Sequence, residues 1–358
     1  MKRFAVVLSI LASSAIARAA PQLEVQEVAS TGSMPKGVTL SPDGTRLYVT
    51  NFGNANGHNI SMFDASTLAP LGNIDVPGIV VESILSADGS LLYASNFPRD
   101  SVQIIDTRTQ RVTREIHVGL HPKILVLSKD GKTLFAANWN GDSVSEIDLA
   151  RGVTVRTHAA GNHPRGMVLT STGSLYVANF DGATIDVFHG ANLLQNYTLS
   201  MCAIPRHLAL SPDEHTMYVS CYHDSQLWAL DLTGLSERVT HMIHIGHSPK
   251  SIDVSRDGKY VYSADYGMVT PPVPPHGADG SVSIVDTSDW SATTYVVPGM
   301  ERGSGVVVLP GGRRVAVTGW CDNHVYIVGI AGSGGHPQET LAKIRTTPRG
   351  HCTTYDGQ

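Results

Sequence analysis

Ser41-Pro42-Asp43-Gly44, then Leu47-Tyr48-Val49-Thr50-Asn51, then Ile60-Ser61-Met62-Phe63-Asp64 is the stretch from which the rest of the chain can be read. Ser86-Ala87-Asp88-Gly89 with Leu92-Tyr93-Ala94-Ser95-Asn96 repeats it. Ser128-Lys129-Asp130-Gly131 with Leu134-Phe135-Ala136-Ala137-Asn138 repeats it again, and weaker copies start at Thr170, Ser211, Ser255 and near Leu309. The last turn position falls at 44, 89, 131, 173, 214, 258 and 312. A period near 40 residues, built of short apolar strands and tight turns, predicts an all-β, seven-bladed β-propeller of four-stranded antiparallel blades.

Each repeat reads as strands A to D from the ring centre outward. Strand A is apolar, as in Ile124-Leu125-Val126-Leu127, and leads into the Ser-x-Asp-Gly turn, where aspartate bonds nearby amides and glycine takes positive φ. Strand B carries the Leu-Tyr-Val-Thr-Asn motif. Strand C resembles Val102-Gln103-Ile104-Ile105-Asp106, and strand D is more polar. Turns A–B and C–D then share one face, and loops B–C and D–A share the other. Leu23 to Ala29 or Glu339 to Thr346 can supply the outer strand that closes blade seven.

The strand B motif resembles the YVTN β-propeller repeat family. Tyr48-Val49-Thr50-Asn51 matches it literally and Tyr176-Val177-Ala178-Asn179 closely, and the resemblance covers about residues 30 to 330. It implies architecture more than activity, because that family mixes surface-layer proteins, exported binding proteins and proteins of unassigned role.

The chain has 358 residues, 42% of them hydrophobic, which suffices for a large core; only 16% are charged, and 35 are glycine. A formal net charge of −5 without a long basic run gives no case for nucleic-acid binding. Lys2 and Arg3, the apolar run Phe4 to Ile16 and Ala17-Arg18-Ala19 read as a cleaved export signal over residues 1–19. The expectation is a periplasmic or secreted protein with no membrane span, folded as one domain over 20–358 with a C-terminal tail from about 331. Four cysteines in an oxidising compartment suggest disulfides. Cys202 precedes strand A of blade five and Cys221 ends its strand B, so they face each other; Cys321 and Cys352 form the second expected pair.

The loop-rich face carries the irregularities. Five repeats place a basic residue after the proline-aligned position at the start of strand A: Lys36, Lys123, Arg165, Arg206 and Lys250. Blade two has Glu82 beside that position. Five like charges around one axis repel unless something offsets them, which points to an anionic small molecule or an acidic protein surface at the channel mouth. The loops 53–59 and 267–281 would wall it. An aromatic follows strand B in every repeat, and the expectation is that asparagine closes that corner while the aromatic packs between blades.

Sixteen histidines are present. His121, His163, His207, His223, His247, His276 and His324 fall near this face without metal-motif spacing, so no cofactor or metal is expected. The reading that follows is an exported binding or scaffold protein. One alternative is a lactonase-like hydrolase or lyase, for which Glu82, His207, Asp265 and His324 are the acid–base or ligand candidates. Another is a cell-surface structural role.

Overall fold

The computed structural model describes residues 21–55, 57–189, 193–234, 236–268, 279–334, 339, 340 and 344. Twenty-eight strands form seven four-stranded antiparallel sheets among these residues. Blade one shows the plan: Pro35–Leu40, Arg46–Asn51, Ile60–Asp64 and Pro70–Ile74 are its strands A to D. The Ser-x-Asp-Gly turn forms as the sequence predicts. Asp43 accepts the Thr45 amide at 3.0 Å and the Ser41 hydroxyl at 2.5 Å, while Gly44 takes φ 74°.

Alternate strand residues point into the gaps between blades, and seven apolar clusters fill the seven gaps. Leu47, Val49 and Phe63 of blade one meet Ala316, Val325 and Ile327 of blade seven, so the first blade packs on the last. Each fully buried aliphatic or aromatic side chain contributes about 1.5–3 kcal/mol.

Of the two candidate closing strands, Leu23–Ser30 does the work. It pairs antiparallel with His324–Ile330, the third strand of blade seven. Glu339 and Thr340 are helical instead, and the Thr340 hydroxyl donates to the Gln26 carbonyl at 2.5 Å. No helix among the described residues is long and apolar enough to cross a membrane. The expected export signal lies outside the described residues.

The corner where strand B ends is tied to the segment entering strand A. In blades one to four Asn51, Asn96, Asn138 and Asn179 are wholly buried there. They lie under Gly32, Gly78, Gly119 and Gly161, where a Cβ would collide with the amide. Blade five replaces this glycine–asparagine contact with a covalent one, the predicted Cys202–Cys221 disulfide, with Cα atoms 5.8 Å apart. By chain entropy a loop this short contributes about 3 kcal/mol. Cys321 is not free; Cys352 lies outside the described residues.

Candidate functional site

Every strand A has an irregularity in its ladder at the same place, as between Pro35 and Val38, Pro122 and Leu125, or Pro249 and Ser251. The same break recurs in the other four blades. Just before it, Met34, His121, His163, Ser248 and Arg302 adopt positive φ, from 52° at Met34 to 61° at Arg302. This sharp turn followed by a bulge sets the residue after the proline position off from regular pairing. In five blades that residue is basic.

All five predicted cations are buried: Lys36 is 3% exposed, Lys123 2%, Arg165 4%, Arg206 3% and Lys250 7%. They come close enough to repel one another. Burial first, then Arg165, holds the Lys36 amine well below its ordinary range. Burial and Arg165 do the same to Lys123, and burial and Arg206 to Lys250. Burial brings Arg165 down to about 10 and also lowers Arg206.

Among the described residues, Glu82 faces this group. Burial raises its pKa, while Arg165 and Lys36 pull the other way. Its carboxylate lies over Gly37, where any Cβ would strike it. Thus the sequence-predicted cations and Glu82 are gathered around one axis.

The aromatics after strand B have a larger part than packing. The amide of each donates to the carbonyl two residues ahead of the cation position: Phe52 to Met34, Phe97 to Ile79, Trp139 to His121, Phe180 to His163, Tyr222 to Ile204, Tyr266 to Ser248 and Trp320 to Arg302. Those bonds clamp an aromatic ring over the start of each strand A. Lys123 Nζ is 3.2 Å from the centroid of Trp139, and Lys250 Nζ is 4.1 Å from that of Tyr266. Lys36 lies between Phe52 at 4.6 Å and Trp320 at 5.1 Å, rings from neighbouring blades. Arg206 faces Tyr222 at 5.2 Å and Phe180 at 5.9 Å. The regular aromatic was visible in the sequence, but its pairing with the cations follows only from the clamp.

Below the cations, strand A side chains enclose a channel of about 470 Å³. Its wall is mostly aliphatic, with Glu82 and His207 in the lining nearest the cations and Asp253 farther along. Burial pushes His207 down to about 3 and Asp253 up to about 6. Asp253 accepts the Val308 amide at 2.7 Å across the blade boundary.

Asp265 does not join this group. It stands where blades one to four have asparagine, is wholly buried, and accepts the hydroxyls of Ser263, Ser281 and Ser283 at 2.7, 2.9 and 2.7 Å. Burial raises it to about 7 despite those bonds. His324 lies on the outer part of blade seven, opposite Ser30. His121 stacks on Phe97 at 4.2 Å and His163 pairs with Asp181 at 2.6 Å, so these histidines serve the turns. His276 and most of the 267–281 loop lie outside the described residues. The 53–59 loop is knitted down by Asn59, whose amide donates to the Gly78 carbonyl at 2.7 Å and accepts the Val76 amide at 3.0 Å.

No protein-family model matches the sequence, and no curated protein matches it. Among solved structures the chain is similar to hydrazine synthase of Kuenenia stuttgartiensis, with a TM-score of 0.71 at 20% identity over 85% of this chain and 97% of that one. It is also similar to the Cps50 (Swd1) β-propeller domain of Myceliophteria thermophila, with a TM-score of 0.72 at 14% identity over 87% and 100% of the two chains. At such identities the likeness is one of fold: this chain is built as a seven-bladed β-propeller.

Proposed function

We propose that the protein is an exported propeller of the YVTN-repeat type that binds an anionic ligand at the cation cluster. The observation that carries this reading is the burial of five cations around one axis, close enough to depress one another, with Glu82 facing them among the described residues. Taking an ion out of water costs several kcal/mol even after relaxation. An aromatic face returns about 0.5–2 kcal/mol per cation. The aromatic clamp therefore offsets part of the cost, and a bound carboxylate, phosphate or sulfate group, or an acidic side chain of a partner, supplies the rest.

The lowered lysine amines add a sign. An anion among them favours their protonated forms, so binding takes up protons and tightens as pH falls. Titration with sodium sulfate at constant ionic strength tests the proposal. Sulfate is expected to raise the melting temperature more than an equivalent amount of chloride, and more at pH 6 than at pH 8. The double variant Lys123→Ala/Arg165→Ala is expected to lose most of that rise while remaining folded. An equal response in the double variant and the parent chain would remove the proposal.

A further inference from the structure

A second group of side chains sits at the ring closure, away from the cations. Ser30 ends the closing strand and stands opposite His324 in the ladder. Ser30 Oγ is 3.3 Å from His324 Nε2. On the other side of the ring, His324 Nδ1 is 2.6 Å from the Asp322 carbonyl oxygen and 3.5 Å from its Oδ2. A carbonyl can only accept, so Nδ1 carries the hydrogen. In the neutral imidazole Nε2 is then an acceptor, and it faces a hydroxyl.

The support behind the histidine is firm. Asp322 is 1% exposed, accepts the Tyr326 hydroxyl, and keeps Oδ1 buried without a partner. Ser30, by contrast, is exposed, and with Gly32, Asn54, His58 and Asn73 it lines a cavity of about 340 Å³ between blades seven and one. Asn54 has its amide oxygen taken by the Ser33 amide at 2.6 Å, and its Nδ2 donates to the Gly57 carbonyl at 3.4 Å, so it serves the loop that walls the cavity. A hydroxyl, a base facing it, a group that fixes the tautomer of that base and a cavity beside the hydroxyl are parts an acyl-transfer site needs.

From this juxtaposition we infer a serine hydrolase site for small carboxylic esters, with Ser30 as nucleophile, His324 as base and Asp322 as the positioning residue. It is independent of the anion site. Ser30 Oγ bonds to the acyl carbon as its proton passes to His324 Nε2. The carbon–oxygen bond to the alcohol breaks, and the alcohol leaves with that proton. Water then adds to the acyl group, giving a proton to Nε2. As the acid departs, Ser30 Oγ recovers a proton from Nε2.

The test uses the whole chain with p-nitrophenyl acetate and an alkyl fluorophosphonate. The expected result is one fluorophosphonate adduct per chain, mapped to Ser30, and an ester hydrolysis rate that falls by about 100-fold in Ser30→Ala. Ser30 is exposed, so this variant is expected to keep the parent melting temperature. His324→Gln is expected to abolish the adduct. Asp322→Asn keeps the main-chain carbonyl on Nδ1 and replaces only the carboxylate 3.5 Å away, so kcat is expected to fall by less than about tenfold with KM little changed. An adduct on another residue, or equal hydrolysis by the parent chain and Ser30→Ala, would overturn the assignment.

Discussion

The two ends of the propeller use charge in opposite ways. At the turn end, carboxylates are exposed or half-buried and satisfied by their own neighbours. Asp64 accepts the Ser66 and Thr67 amides at 2.9 and 3.0 Å and is held down to about 2 chiefly by hydrogen bonding to Ser66. Asp88 is held down to about 2 in the same way by Ser86 and Ser90. At the loop-rich end, charges are buried and look toward their like. The same repeat produces both. A turn carboxylate needs only three or four consecutive residues to be stable, whereas a mouth cation depends on blades that lie far away in sequence. Charge that is locally complete maintains shape. Charge that is locally incomplete depends on the ring that gathers it.

Removing an aromatic face is the strongest way to break this contrast. Trp139→Ala opens a void beside Lys123 and strips its closest ring, and is expected to cost about 3–5 kcal/mol by denaturant unfolding. A loss no larger than that of an exposed substitution would mean that the rings do not hold the mouth together.

A sharper comparison lies among the strand B corners. Asp265→Asn gives blade six the amide that blades one to four carry. The folded pKa of Asp265, about 7, lies above its unfolded value. The native state therefore holds a proton that the unfolded state has released, and stability falls as pH rises between about 4 and 7. Asp265→Asn is expected to be nearly neutral at pH 4 and to stabilise by about 4 kcal/mol at pH 8. The same gain at both pH values would contradict the buried-acid account.

The smallest effect belongs to the turn end. Asp64 has a depressed folded pKa, so its contribution is present above about pH 4 and fades as pH falls toward 2. Asp64→Asn is expected to cost under about 1 kcal/mol at pH 7, because the half-buried group is still screened by solvent, and to flatten the acid limb of the stability curve slightly. If Asp64→Asn proved as damaging as Trp139→Ala, the division between the two ends would fail.

Much of this could be read before any coordinates. The recurring Ser-x-Asp-Gly turn gave seven blades, the sorting of loops onto two faces, the gathering of Lys36 with Lys250, and the Cys202–Cys221 pair. These depend on the repeat register, which a sequence displays directly. The clamp between Trp139 and His121 was hidden because it rests on a backbone bond and a positive φ. Asp265 was misread as a mouth acid because aspartate and asparagine at one corner differ in charge but share a place. Ser30, His324 and Asp322 were not joined, since the closing strand had two candidates and the residues come from opposite ends of the chain.

That closure also sets a temporal order. Leu23–Ser30 leaves the ribosome six blades earlier than its pairing partner His324–Ile330. The loop to be closed spans all seven blades, so the final seam carries a large contact order and forms late. Until then the apolar side of Leu23 and Val25 has no blade to rest on. A young chain therefore keeps one adhesive edge exposed until the seam is sealed.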